Sequence, residues 1–106
     1  MRITTDGATL RLEGDLDVRS TTEVRAAVYD QLARHDHVVV DLSGVAGADV
    51  TALRVLAVAS RAADLRGGHL TLRGCGPAVR RLLHLSHLIR VVDVDRAALD
   101  VGLGVG

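Results

Sequence analysis

The residue types best placed to do chemistry in this sequence are one threonine, one cysteine and a small set of aspartates. Thr51 follows Asp49-Val50, at the head of a long apolar-rich run with no Pro or Gly before Gly67. An acidic residue at that position reads as an N-cap, which puts Thr51 in the first helical turn among backbone N–H groups that lack partners. A hydroxyl there is a good place to carry a phosphate, because the helix dipole favours negative charge. Cys75 precedes Arg80 and Arg81 at the spacings of sulfurtransferase and thiol phosphatase loops, respectively. Both chemistries need a low-pKa thiolate cradled by backbone N–H groups, and Pro77 removes one of those groups. Asp15-Leu16-Asp17-Val18 matches the string of aspartate-nucleophile phosphatases, but lacks the buried strand end and the later lysine and metal carboxylates these need. His35-x-His37 offers two ligands without an evident third, so no metal site is expected. Arg80 and Arg81 read as a solvated helix face.

Composition narrows the classes. The 106 residues suit one domain with a single core, and 48% hydrophobic with 25% charged residues describes a globular protein. Thirteen basic and thirteen acidic residues cancel, so no overall field attracts nucleic acid or an anionic membrane. Tyr29 is the sole aromatic residue, which argues against base-stacking platforms. A single cysteine excludes an internal disulfide and fits a reducing compartment. The opening MRITTDG lacks the apolar run of a signal peptide, and no stretch is long enough to span a bilayer. The expectation is a cytoplasmic protein that needs no cofactor.

The elements that position Thr51 follow from periodicity. Arg2–Thr5 and Ala8–Leu12 alternate around Asp6-Gly7, a hairpin signal. These are two antiparallel strands, the second continuing to about Gly14, and the segment Glu13 to Asp17 then leaves the sheet. Ser20 or Thr21 caps a helix with Val24, Ala27, Val28 and Leu32 on its apolar stripe, and Arg25, Asp30 and Arg34 facing away. Val38–Leu42 reads as a strand buried on both faces, and Ser43–Ala48, with two glycines, as a turn. The second helix spans about Val50 to Arg66. It carries Leu53, Leu56, Ala59 and Ala63 on one face, with Val55, Val58, Ala62 and Leu65 beside them, a stripe wide enough to predict heavy burial. Gly67-Gly68 ends it. His69–Arg73 is a strand, Pro77 opens a helix running to about Ser86, and Leu88–Val94 returns as a short strand or extended segment. Asp95 caps a last turn through Leu99. Residues 1–100 therefore form one domain and 101–106 a loose tail. The order β-β-α-β-α-β-α-β predicts an α/β fold, with a mixed, mostly parallel sheet opened by an antiparallel hairpin and helices packed on it.

Three blocks of this chain resemble the anti-sigma factor antagonist branch of the STAS domain family. Leu12-Glu13-Gly14-Asp15-Leu16-Asp17 is similar to that family's turn into its first helix. Val39 to Val45, followed by Asp49-Val50-Thr51-Ala52-Leu53, is similar to its phosphorylation loop. Arg66-Gly67-Gly68-His69-Leu70 and Pro77 to Leu83 match two later segments. The resemblance implies a STAS-like fold and a partner-switching role without enzymatic activity. An unphosphorylated antagonist binds an anti-sigma factor of the serine/threonine kinase type, is released on phosphorylation, and is restored by a phosphatase. Carried over by position, Thr51 is the acceptor, and Asp15, Asp17, Asp49, Val50, Ala52 and Leu53 contact the partner. The family usually has Ser or Thr where Val50 stands and Gly where Ala52 stands. His87 takes the place of a helix-ending Gly, and His tolerates left-handed geometry better than most residues. A non-phosphorylated adaptor subunit of a transport or stress-sensing assembly is the rival implied by the same resemblance.

Overall fold

A two-residue turn at Gly7-Ala8 joins β1 (Arg2–Asp6) to β2 (Thr9–Leu16), with Gly7 at φ +59°. A glycine with positive φ at the first turn position suits the twist of an antiparallel hairpin. The computed structural model describes residues 1–95. After β2 come α1 (Thr21–Arg34), β3 (His37–Ala48), α2 (Val50–Leu65), β4 (His69–Arg73), α3 (Pro77–Leu85) and β5 (Asp93–Val94). The strands lie in the order β1-β2-β3-β4-β5, antiparallel between β1 and β2 and parallel elsewhere. This is the mixed sheet expected from the element order. The last turn through Leu99 and the 101–106 tail lie outside the described residues.

One face of the sheet presents Leu10, Leu12, Val38, Val40, Leu42, Leu70 and Leu72 to the helices, all almost wholly buried. Val24, Val28 and Leu32 of α1, Leu53 and Leu56 of α2, and Val79 and Leu83 of α3 complete a single core cluster. The opposite face is polar. There Asp41 is buried between Arg11 (3.6 Å) and Arg73 (3.3 Å), and it accepts from the Ser43 amide (2.9 Å) and hydroxyl (2.7 Å). Burial would raise its pKa, but the bonds from Ser43 and the Arg73 guanidinium outweigh it and hold the carboxyl below its ordinary value.

Four expectations are corrected. β2 does not stop near Gly14 but runs to Leu16, and Ser43–Ala48 is not a turn. The two strands stay paired as far as Leu16 and Ala48, with register shifts on the way. Gly44, which resembles a turn signal, is a close-approach position instead. A Cβ on Gly44 would stand 2.7 Å from Glu13 Cγ, so only glycine lets these bulged strands pair. In α2, Val55 is buried, but Val58 (57% exposed) and Leu65 (80%) face solvent, so the apolar stripe is narrower than its sequence suggests. Leu88–Val94 divides into a short 3-10 turn at Leu88–Arg90 and the two-residue β5. His87 precedes that turn with φ +64°, the left-handed geometry expected of it. Helix ends follow their local signals closely. Gly67 (φ +81°) and Gly68 close α2 with bonds from Gly68 N–H to Ala63 O (2.9 Å) and from Gly67 N–H to Asp64 O (3.2 Å).

His69 ties the end of α2 to the last strand. Its Nε2 lies 2.6 Å from Asp93 Oδ2 and its Nδ1 3.0 Å from Asp64 Oδ1. The bond to Asp93, then that to Asp64, raise the imidazole pKa above its ordinary 6.5. A folded-state pKa above the unfolded one gives stability that is full below the unfolded value and is lost as pH rises through the folded value. The Tm advantage of wild type over His69→Gln should therefore be greatest near pH ~5.5 and shrink above pH ~8. Thermal melts across that range check this, and a pH-independent difference would remove the ion pairs as its cause.

Candidate functional site

The site is built where two parallel strands end side by side. Leu16 and Ala48 are register partners, so the chain leaving β2 and the chain entering α2 emerge at the same edge. Asp49 is the only residue between β3 and α2. Its Oδ1 accepts from Ala52 N–H (2.8 Å), its Oδ2 from Val18 N–H (3.2 Å), and its own N–H donates to Leu16 O (3.0 Å). Asp49 thus caps α2, as expected from its position, and also fastens the β2–α1 connection to it. Asp49→Ala should cost about 1–2 kcal/mol, the range of a lost cap, while Asp49→Asn retains most of it. Urea denaturation midpoints of the two variants give the comparison.

The β2–α1 connection has its own cap. Asp17 Oδ1 accepts from Arg19 N–H (3.0 Å), and Asp17 Oδ2 pairs with the Arg19 guanidinium at 2.8 Å. That guanidinium bond chiefly lowers the Asp17 pKa. Ser20 stands at the helix N-cap position, but its hydroxyl turns back to the Asp15 and Asp17 carbonyls. Asp15 is exposed and Asp17 half-buried.

Thr51 lies exposed in the first turn of α2, and Val50 beside it is half-buried. Ala52 (1% exposed) and Leu53 (0%) are in the core. Their side chains present no surface to a partner, so the contact role expected of them is corrected to support from beneath. A helix turns about 100° per residue, so Leu53, two positions on, lies nearly opposite the exposed Thr51 and faces the core.

Several residues of this surface carry no motif. Val18 is 61% exposed beside Asp49, whose carboxylate holds its amide. A groove of about 260 Å³ runs between α1 and α2, lined by Thr21, Arg25 and Tyr29 on one side and Thr51, Arg54, Val55 and Val58 on the other. Arg25 is exposed, away from the buried stripe of Val24, Val28 and Leu32 as expected, and it lines this groove. Val58 and Tyr29, large apolar side chains at the edges of their helical stripes, were the available sequence signals for the groove. Thr51 sits within its lining.

The rival chemistries find no support in the geometry. Burial pushes the Cys75 thiol pKa up, against a smaller opposing pull from Arg80, the reverse of what a thiolate nucleophile needs. The Asp17 carboxylate is engaged by Arg19. Among the described residues no group of three or more His, Cys, Asp or Glu side chains could hold a metal, and no helix is long and apolar enough to cross a membrane.

Known proteins share this fold. A family model described as "Mlab, STAS domain" matches residues 1–93. The fold is similar to that of an anti-sigma factor antagonist from Mycobacterium paratuberculosis, with TM-score 0.76, 20% identity, and 97% and 90% of the two chains covered. It is also similar to SpoIIAA of Bacillus in its phosphorylated form, with TM-score 0.64, 15% identity, and 95% and 96% covered. A third similar structure is a singly substituted RsbS of Moorella thermoacetica, with TM-score 0.65, 24% identity, and 89% and 84% covered. With its sheet order, its capped α2 and the family match over residues 1–93, this chain belongs to the STAS domain family.

Proposed function

We propose that this protein is an anti-sigma factor antagonist, a binding protein and not an enzyme, whose hold on its partner is controlled by phosphorylation of Thr51. The observation that carries the reading is the exposed Thr51 hydroxyl in the first turn of a helix capped by Asp49. The partner is an anti-sigma factor of the serine/threonine kinase type. Unphosphorylated, the protein binds that kinase through the surface formed by Asp15, Asp17, Val18, Asp49, Val50 and Thr51, and so keeps it from its sigma factor.

In the modification step Thr51 Oγ1 forms a bond to the γ-phosphorus of ATP. The bond from that phosphorus to the β–γ bridging oxygen breaks, ADP leaves, and the hydroxyl proton passes to a base on the kinase. A phosphatase hydrolyses the ester and resets the switch. The fold tolerates the new charge because it sits at the positive end of α2, a contribution of roughly 0.3–1 kcal/mol. Repulsion from Asp49 opposes that gain, so the domain beneath is little altered.

The test is co-purification from the native host, followed by incubation of the captured kinase and ATP with wild type and with Thr51→Ala. Phosphate incorporated at Thr51 in wild type and absent from the variant is the expected result. Equal incorporation in both moves the site elsewhere. Capture of a transporter ATPase in place of a kinase supports the adaptor role instead.

A further inference from the structure

We infer that a phosphate on Thr51 is drawn across the α1–α2 groove by Arg25 and Arg54 and closes the groove's mouth. The inference rests on the Thr51 reading and extends it to how the modification acts. Thr51 and Arg54 stand one helical turn apart, at i and i+3, where Cβ atoms are roughly 5–6 Å from each other. Arg25 stands on α1, on the facing wall of the same cavity. Both arginines are exposed, and neither has an ion-pair partner among the described residues. The sequence around them explains why. Thr21, Thr22, Val28 and Tyr29, three or four positions from Arg25, are uncharged, and so are Val50, Thr51, Ala57 and Val58 around Arg54. Arg19 and Arg34, by contrast, are held by Asp17 and Asp30.

Two unengaged guanidinium groups therefore flank Thr51 in a groove whose apolar lining is Val55, Val58 and the Tyr29 ring. A phosphate monoester offers three acceptor oxygens and nearly two negative charges, enough for both forks at once. Bridged this way, it places a polar strap over an apolar surface. The modification then withdraws the groove from a partner as well as repelling it.

The test installs phosphothreonine at position 51 during translation, so it needs no kinase. The phosphorus resonance is followed against pH in wild type, Arg25→Gln, Arg54→Gln and the double variant. In wild type the second phosphate pKa should lie below the ordinary value of about 6. Each single substitution should raise it by roughly half a pH unit, and the double substitution further. Acrylamide quenching of Tyr29, the sole aromatic residue, should fall on phosphorylation in wild type and not in the double variant. Equal pKa values in wild type and the double variant overturn the clamp, since a lowering common to both comes from the helix terminus alone. Unchanged Tyr29 quenching in wild type overturns the closure. Melting curves of the unphosphorylated variants confirm that these exposed positions leave the fold intact. Should phosphosite mapping find no modification at Thr51, the switch reading fails while the titration still decides the clamp.

Discussion

Leu53→Ala is expected to lower stability by about 2–5 kcal/mol, the cost of truncating a fully buried leucine. Leu53 is 0% exposed and belongs to the cluster that joins α2 to the sheet, so the cavity left behind has no easy way to collapse. Domains of this size are stable by about 5–15 kcal/mol, so the loss is a large share of the whole. It corresponds to a fall in Tm of roughly 10–30 °C. Thr51→Ala, two residues earlier in the same turn, should stay within about 0.5 kcal/mol of wild type because its side chain is exposed. Thermal melts of the two variants measure the contrast. A Leu53→Ala protein as stable as wild type would mean that this side chain is outside the core, and a contact role for it would return.

The second large effect is on binding. Phosphorylated protein should bind the kinase partner at least about a hundredfold more weakly than unphosphorylated protein. A phosphate set 4 Å from an acidic group of the docked partner is repelled by about 4 kcal/mol at an effective dielectric near 20. Each ~1.4 kcal/mol is a factor of ten in affinity, so about 2.8 kcal/mol, some two-thirds of that repulsion, supplies the hundredfold. Calorimetric titration of the kinase with both forms gives the ratio, and melts of the same samples should differ little. Because the contact is exposed, added salt should reduce the difference. A tenfold effect or less would show that the partner's surface lies away from the first turn of α2. Thr51→Ala should bind as the unphosphorylated form does and fail to dissociate when ATP is added.

The ends of α2 were legible because their chemistry is local. Asp49 accepts from an amide three residues on, and Gly67 supplies a left-handed φ where the helix stops. The same holds for Pro77 at the start of α3 and for His87 before the last turn. The element order was also readable, and with it the mixed sheet and the place of Thr51 at the head of a helix. Each of these depends on residues within a few positions of one another.

What the chain alone did not disclose depends on segments about thirty residues apart. Gly44 reads as a turn residue until β2 is laid beside it, when Glu13 turns out to occupy the space that a side chain would need. The second role of Asp49, holding the Val18 amide, exists only because β2 and β3 end together. Ala52 and Leu53 share a motif with Thr51, but the packing of α2 on the sheet sends them inward. The groove that places Arg25 near Thr51 is created by the docking of α1 against α2, which no helical period encodes. Local propensity and capping specify where elements begin and end. Which surface they make together is set by register and packing, which arise only when distant stretches of chain meet.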